Sequence, residues 1–138
     1  MARKIDIKAR LEVAENDRQA RDFLLAGKPG GMPENVGDLP ALVLLDIKLP
    51  GVSGLELLSW IRGEAFLSEL VVVIFTSSRE PQDLKQAYAL GANSFVVKPS
   101  GTEELLESLN IILCYWLELN EMPERFGVDS PKAMDRRQ

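Results

Sequence analysis

Three apolar runs without polar alternation recur along the chain: Ala41-Leu42-Val43-Leu44-Leu45, Leu70-Val71-Val72-Val73-Ile74-Phe75 and Ser94-Phe95-Val96-Val97. A strand with one wet face alternates apolar and polar residues. A run that does not alternate reads as a strand covered on both faces. Each run is followed by glycine or proline punctuation and then by an amphipathic helical pattern. Pro50, Gly51 and Gly54 turn the chain into a helix with Leu55, Leu58 and Ile61 inward, ending near Gly63. Pro81 suits the first turn of a helix carrying Leu84, Ala87 and Tyr88, which ends at Gly91. Thr102 caps a last helix with Leu105, Leu106, Leu109, Ile112, Leu113 and Trp116 on its stripe. Strands alternating with helices predict an α/β domain with a parallel sheet and right-handed crossovers.

Upstream, Arg10-Leu11-Glu12-Val13-Ala14 does alternate and reads as an edge strand, half exposed to water. Asn16 or Asp17 can cap a helix running to about Ala26, with Ala20, Phe23 and Leu24 on one face and Gly27 as its stop. Lys28 to Leu39 holds prolines and glycines without periodicity and is predicted to be a loop. The domain spans 9–118, after an N-terminal segment 1–8. A polar tail, 119–138, follows, with most of Asp129 to Gln138 expected to be disordered.

Composition excludes several chemistries. The chain has no histidine, so Ser-His and Cys-His nucleophile schemes and HExxH zinc sites are ruled out. Its one cysteine, Cys114, lies in an apolar run and reads as a buried thiol. A net charge of −5 argues against a nucleic-acid surface. No apolar stretch reaches the length of a membrane span, and Met1 to Lys8 carries no secretory h-region. A cytoplasmic signalling domain that is not a metabolic enzyme is the expectation.

In parallel sheets, ligands bind beyond the carboxyl ends of the strands. The three apolar runs end in Asp46, Thr76 and Lys98. Each of these residue types at a strand end is commonplace. Together they place a carboxylate, a hydroxyl and an ammonium at one sheet edge. A carboxylate oxygen is a competent nucleophile toward phosphorus. A hydroxyl and a cation can hold the charge on a phosphoryl group's equatorial oxygens. The set therefore fits phosphoryl transfer to Asp46.

At these residues the chain resembles a known family. Leu44-Leu45-Asp46-Ile47-Lys48-Leu49-Pro50-Gly51 is similar to the phosphoacceptor segment of bacterial response-regulator receiver domains. Phe75-Thr76-Ser77-Ser78 resembles their Thr/Ser segment. Gly91-Ala92-Asn93-Ser94-Phe95-Val96-Val97-Lys98-Pro99 resembles their aromatic-switch and Lys-Pro segment. The resemblance implies a flavodoxin-like (CheY-like) fold and a phosphoryl group accepted on Asp46 from a sensor histidine kinase. Thr76 would bind a phosphoryl oxygen, Lys98 would pair with the acyl phosphate, and Phe95 would be a rotameric switch, though a plain core aromatic is the alternative. Asp46 and the backbone carbonyl of Lys48 would be ligands of Mg²⁺, and Lys98-Pro99 would be a cis peptide. The loop 28–40 and Tyr115-Trp116-Leu117-Glu118 resemble the single-domain receivers that partner bacterial phytochromes. Output would pass to a downstream protein partner.

The chain also departs from the family. A receiver opens with a buried strand ending in an acidic pair that holds Mg²⁺, followed by a helix. The spacing here makes Arg10-Ala14 the second strand and Asp17-Ala26 the second helix, so that first unit is expected to be missing and Mg²⁺ binding to be weak. A rival alignment puts Glu15 in an acid's place. It conflicts with the edge pattern of Arg10-Leu11-Glu12-Val13, because the first strand is central in the family sheet. Loss of the first helix would uncover apolar surface, to be covered by a partner chain, a swapped element or the tail. The last helix, apolar nearly all round from Ile111 to Leu117, points to a homodimer, the alternative being that the tail folds back over Tyr115 and Trp116 through Met122 or Phe126. Besides a phosphorylatable receiver, a degenerate receiver acting as an interaction module remains open. A hydrolase of the haloacid dehalogenase type would need a second Asp at Lys48.

Overall fold

The computed structural model describes residues 9–27 and 39–122. The expectations for the segment before Ala9, for most of the loop 28–39 and for the tail beyond Met122 lie outside the described residues. Three parallel strands, β1 (Val43–Leu45), β2 (Val72–Thr76) and β3 (Ser94–Val97), form a sheet in the order β1-β2-β3. Register is fixed by Val43 opposite Val72 on one side and by Thr76 opposite Val97 on the other. Four helices flank it: α1 (Asp17–Ala26), α2 (Gly54–Gly63), α3 (Pro81–Ala89) and α4 (Thr102–Cys114).

Every residue of β2 is buried, as an unbroken apolar run requires. Its side chains divide between two cores. Val72 and Ile74 join Leu45, Leu55, Leu58, Ile61 and Leu24 of α1 on one face. Val73 and Phe75 join Ile112 of α4 on the other, where Leu42, Leu44, Leu105, Leu109 and Trp116 pack at the margin. The expectation that Ala41-Leu45 is covered on both faces needs correction. Leu42, Val43 and Leu44 are only half-buried, because β1 lies at the edge of this sheet.

Other readings shift for local reasons. Arg10-Ala14 forms no strand: Leu11 and Val13 are 81% and 75% exposed, and the sheet offers that segment no partner. Asn16 does cap α1, its side chain accepting the Gln19 N–H at 2.9 Å. Thr102 does not cap α4; Gly101 holds that position and Thr102 is the first helical residue. Of the residues assigned to α3, Ala87 alone is fully buried, while Leu84 and Tyr88 are exposed. Leu106 leaves the α4 stripe for solvent. Cys114 is only half-buried, because α4 has a single row against the sheet. Past Cys114 the helix widens into a π-helical turn, Tyr115–Leu119, closed by the Asn120 N–H on the Tyr115 carbonyl at 2.6 Å.

At the edge where β2 and β3 begin, Arg62 from the end of α2 acts as a cross-brace. Its Nε donates to the Gly91 carbonyl at 2.9 Å and its guanidinium to the Leu70 carbonyl at 2.8 Å and Asn93 Oδ1 at 2.9 Å. Asn93 Oδ1 also accepts the Val72 N–H at 2.8 Å. One planar fork thus ties α2, the start of β2 and the turn into β3. Leaving such acceptors unpaired costs about 1–3 kcal/mol for a buried group. Arg62→Met is therefore expected to lower the unfolding free energy by about 2 kcal/mol, read from urea denaturation.

Candidate functional site

Asp46 is the first residue after β1, at the carboxyl edge of the sheet. Its Oδ1 accepts the Lys48 N–H at 3.0 Å, which folds the loop into a tight turn. Its Oδ2 accepts from Lys98 Nζ at 2.8 Å. Lys98 reaches it from beyond β3. The Lys98 N–H donates to the Thr76 carbonyl at 2.7 Å, extending the β2–β3 ladder by a step. The ammonium also lies 5.8 Å from the centre of the Phe75 ring, within range of a cation–π attraction.

Thr76 ends β2 between these two strands and is fully buried. Its hydroxyl accepts the Ser78 N–H at 3.3 Å. Ser78 Oγ in turn donates to Asp83 Oδ2 at 2.6 Å, which ties the loop after β2 to α3. Gly54 closes the site from below. Its N–H donates to the Ile47 carbonyl at 2.7 Å, and a methyl group on its Cα would collide with the Asp46 backbone carbonyl. No other residue lets the start of α2 come so close to the Asp46 backbone.

The electrostatics favour an ionised Asp46. Burial pushes its pKa up. Hydrogen bonding from Lys98, the nearby Thr76 hydroxyl and the Lys48 N–H, with the Lys98 charge, outweigh burial and hold it below the ordinary carboxylate value. No well-formed hydrogen bond joins Thr76 to Asp46, so the Lys98 contact carries most of that effect.

Of the residues singled out in the sequence, the structure brings Asp46 and Lys98 into contact and sets Thr76 between their strands. Phe95 sits on β3 opposite Ile74, half-buried against the core that Ile74 belongs to. Lys48 donates its backbone N–H to Asp46 Oδ1. Every peptide bond among the described residues is trans, so the expected cis Lys98-Pro99 bond is corrected. The trans form is the intrinsically favoured one for X-Pro, and Lys98 reaches Asp46 without the alternative. Sequence reasoning missed Phe75 under the ammonium and the role of Gly54. Only the strand register that sets Phe75 beside Lys98 could have revealed the first. The glycine four residues past Pro50 was a visible signal for the second, but was read as a turn former.

Mg²⁺ needs several oxygen ligands, usually more than one carboxylate. No group of three acidic, histidine or cysteine residues lies together among the described residues. Both Asp46 oxygens are already engaged, one by an ammonium. The described residues of one chain do not fit a divalent cation.

Comparison with known proteins follows the same lines. The family model for the response regulator receiver domain matches residues 10–110. The probable methanogenesis regulatory protein FilR2 of Methanothrix harundinacea is 35% identical over 120 residues, covering 87% of this chain and 74% of that protein. Response regulator Rcp1 of Synechocystis is 32% identical over 84 residues, which is 61% of this chain and 57% of that protein. The Mn²⁺-bound structure of Rcp1 superposes with a TM-score of 0.69 at 30% identity, over 80% of this chain and 76% of that one. The bacteriophytochrome response regulator AtBRR superposes with a TM-score of 0.54 at 42% identity, over 80% and 77% of the two chains. No helix among the described residues is long and apolar enough to cross a membrane.

The lowered pKa of Asp46 has a definite pH signature. A carboxylate held below its unfolded value of about 3.9 contributes stability above that value. The contribution is lost as the pH falls through the lower folded-state pKa. Lys98→Met removes the main cause, so the Asp46 carboxyl is expected to titrate at higher pH in that variant, measured by carbon-detected NMR of the side chain. An unmoved midpoint would mean that Lys98 does not set the Asp46 charge.

Proposed function

The chain belongs to the response regulator receiver domain family, and on that premise we propose that Asp46 accepts a phosphoryl group from a sensor histidine kinase and that the domain signals through protein contacts. The observation that carries this reading is the 2.8 Å contact of Lys98 Nζ with Asp46 Oδ2. An Asp46 oxygen attacks the phosphorus of a phosphohistidine, the O–P bond forms and the P–N bond breaks. The imidazole leaves with the electron pair and takes up a proton. Lys98, already beside the nucleophile, neutralises charge gathering on the phosphoryl oxygens, and the Thr76 hydroxyl is placed to donate to one of them. The likeness to AtBRR supports a phytochrome-type kinase as partner. The domain is read as a cytoplasmic signalling module and not as a metabolic enzyme.

A second reading has its own support. The lack of a carboxylate cluster and the satisfied state of Asp46 also suit an interaction module that is never phosphorylated. Incubation with acetyl phosphate, with and without Mg²⁺, separates the two by intact mass. The phosphoryl reading expects one phosphoryl group on the wild type and none on Asp46→Asn. It also expects labelling of Lys98→Met to slow by on the order of 10²-fold. A wild type that takes up none under either condition leaves the interaction module.

We also propose self-association through α4, as the homodimer expectation requires. Ile111, Tyr115 and Leu119 are exposed and spaced by four residues, on one helical row. Trp116 belongs to the inward core and is not part of that surface. Ile111→Glu is expected to lower the sedimenting mass at micromolar concentration without unfolding the chain. A wild type that sediments as a monomer would remove this proposal.

A further inference from the structure

Among the described residues two features have no partner strand, and they complement each other. The first is the outer edge of β1. The Val43 N–H donates to the Val71 carbonyl at 2.9 Å, toward β2. Backbone groups alternate sides along a parallel strand, so the Leu44 N–H and carbonyl face the opposite way. No strand among the described residues lies there. An open edge next to half-buried Leu42 and Leu44 is a template for another strand. The second feature is Arg10–Ala14, which belongs to no strand or helix, with Leu11 and Val13 largely in water. The helix that follows the segment, α1, is anchored in its own chain. Asn16 caps that helix, Arg21 lies 5.0 Å over the Trp60 ring and Leu24 is sunk in the core.

We propose that Arg10–Ala14 of a second copy adds to the open edge of β1, so that two chains exchange these segments. Charge selects the direction. Parallel addition carries Glu15 to the end of the sheet where Lys48 and Lys98 stand, whereas antiparallel addition brings Arg10 against Lys98. In the parallel register that pairs Leu11 with Leu42 and Val13 with Leu44, the two apolar side chains extend the incompletely covered α4 face. Arg10 and Glu12 take the opposite face, as the alternation of an edge strand requires. The same register sets Glu15 beside Asp46, so that each copy lends a carboxylate to its mate's site. The pairing stands whether or not Asp46 is phosphorylated. Only the meaning of Glu15 rests on the phosphoryl reading.

In this register the Ala14 N–H donates to the Leu44 carbonyl, so proline at position 14 removes a ladder donor and breaks the pairing. It touches nothing in the unpaired segment of a single chain, so folding is spared. The experiment uses the full chain in the Ile111→Glu background, which disables the α4 contact, with sedimentation and amide hydrogen exchange as readouts. With both contacts intact the wild type assembles beyond a dimer, and Ile111→Glu alone is expected to lower the mass only as far as a dimer, held by the exchanged segments and with a protected Leu44 amide. Ile111→Glu with Ala14→Pro is expected to be a folded monomer whose Leu44 amide exchanges at least tenfold faster. An Ile111→Glu protein that is already monomeric overturns the proposal. So does an Ala14→Pro change that leaves mass and Leu44 exchange untouched.

Discussion

The structure depends on the complete burial of β2. Neighbouring strands in a sheet lie about 4.8 Å apart, so the strands on either side of β2 are separated by roughly twice that distance. Asp46 leaves one flank and Lys98 the other, with Thr76 between them. Of the positively charged side chains, only a long one can span such a width, and a lysine at that position does so. Core packing above and below β2 therefore fixes a charge pair at the edge. Were β2 to slip by one residue, every side chain on it would change face, and the Lys98 backbone would lose its bond to Thr76.

The two edges of the sheet do different work. At the edge where β2 and β3 begin, Arg62 and Asn93 knit the chain with hydrogen bonds. At the carboxyl edge, loops converge on Asp46 and the glycine at position 54 lets α2 start directly under it. Stability is concentrated at one end and chemistry at the other. This division follows from parallel topology, because every strand enters the sheet at the same end.

The outer side of β1 departs from that economy. It presents backbone groups and apolar side chains with no strand beside them among the described residues, and among those residues no cluster of three acidic, histidine or cysteine side chains gathers at Asp46. Both shortfalls lie on the same side of the same strand. A strand laid against that edge would cover the apolar face and deliver its last residue next to Asp46.

Much was legible without coordinates. Unbroken apolar runs marked the three strands, and their last residues named Asp46, Thr76 and Lys98, because periodicity and strand ends are local properties. Which run would be central was not legible. The segments 41–45 and 70–75 look equally buried in sequence, but only β2 has a neighbour on both sides, and that is a matter of pairing between distant segments. For the same reason Arg10-Ala14 reads as a strand and is not one here: alternation shows that a segment can pair, not that a partner exists. Phe75 under the Lys98 ammonium and the Arg62 brace join residues far apart in the chain. The sequence by itself determined the elements and the chemical groups at their ends. The tertiary structure alone decided which groups meet, because side-chain contacts across a sheet depend on strand order and register, and these are set by the packing of the whole core.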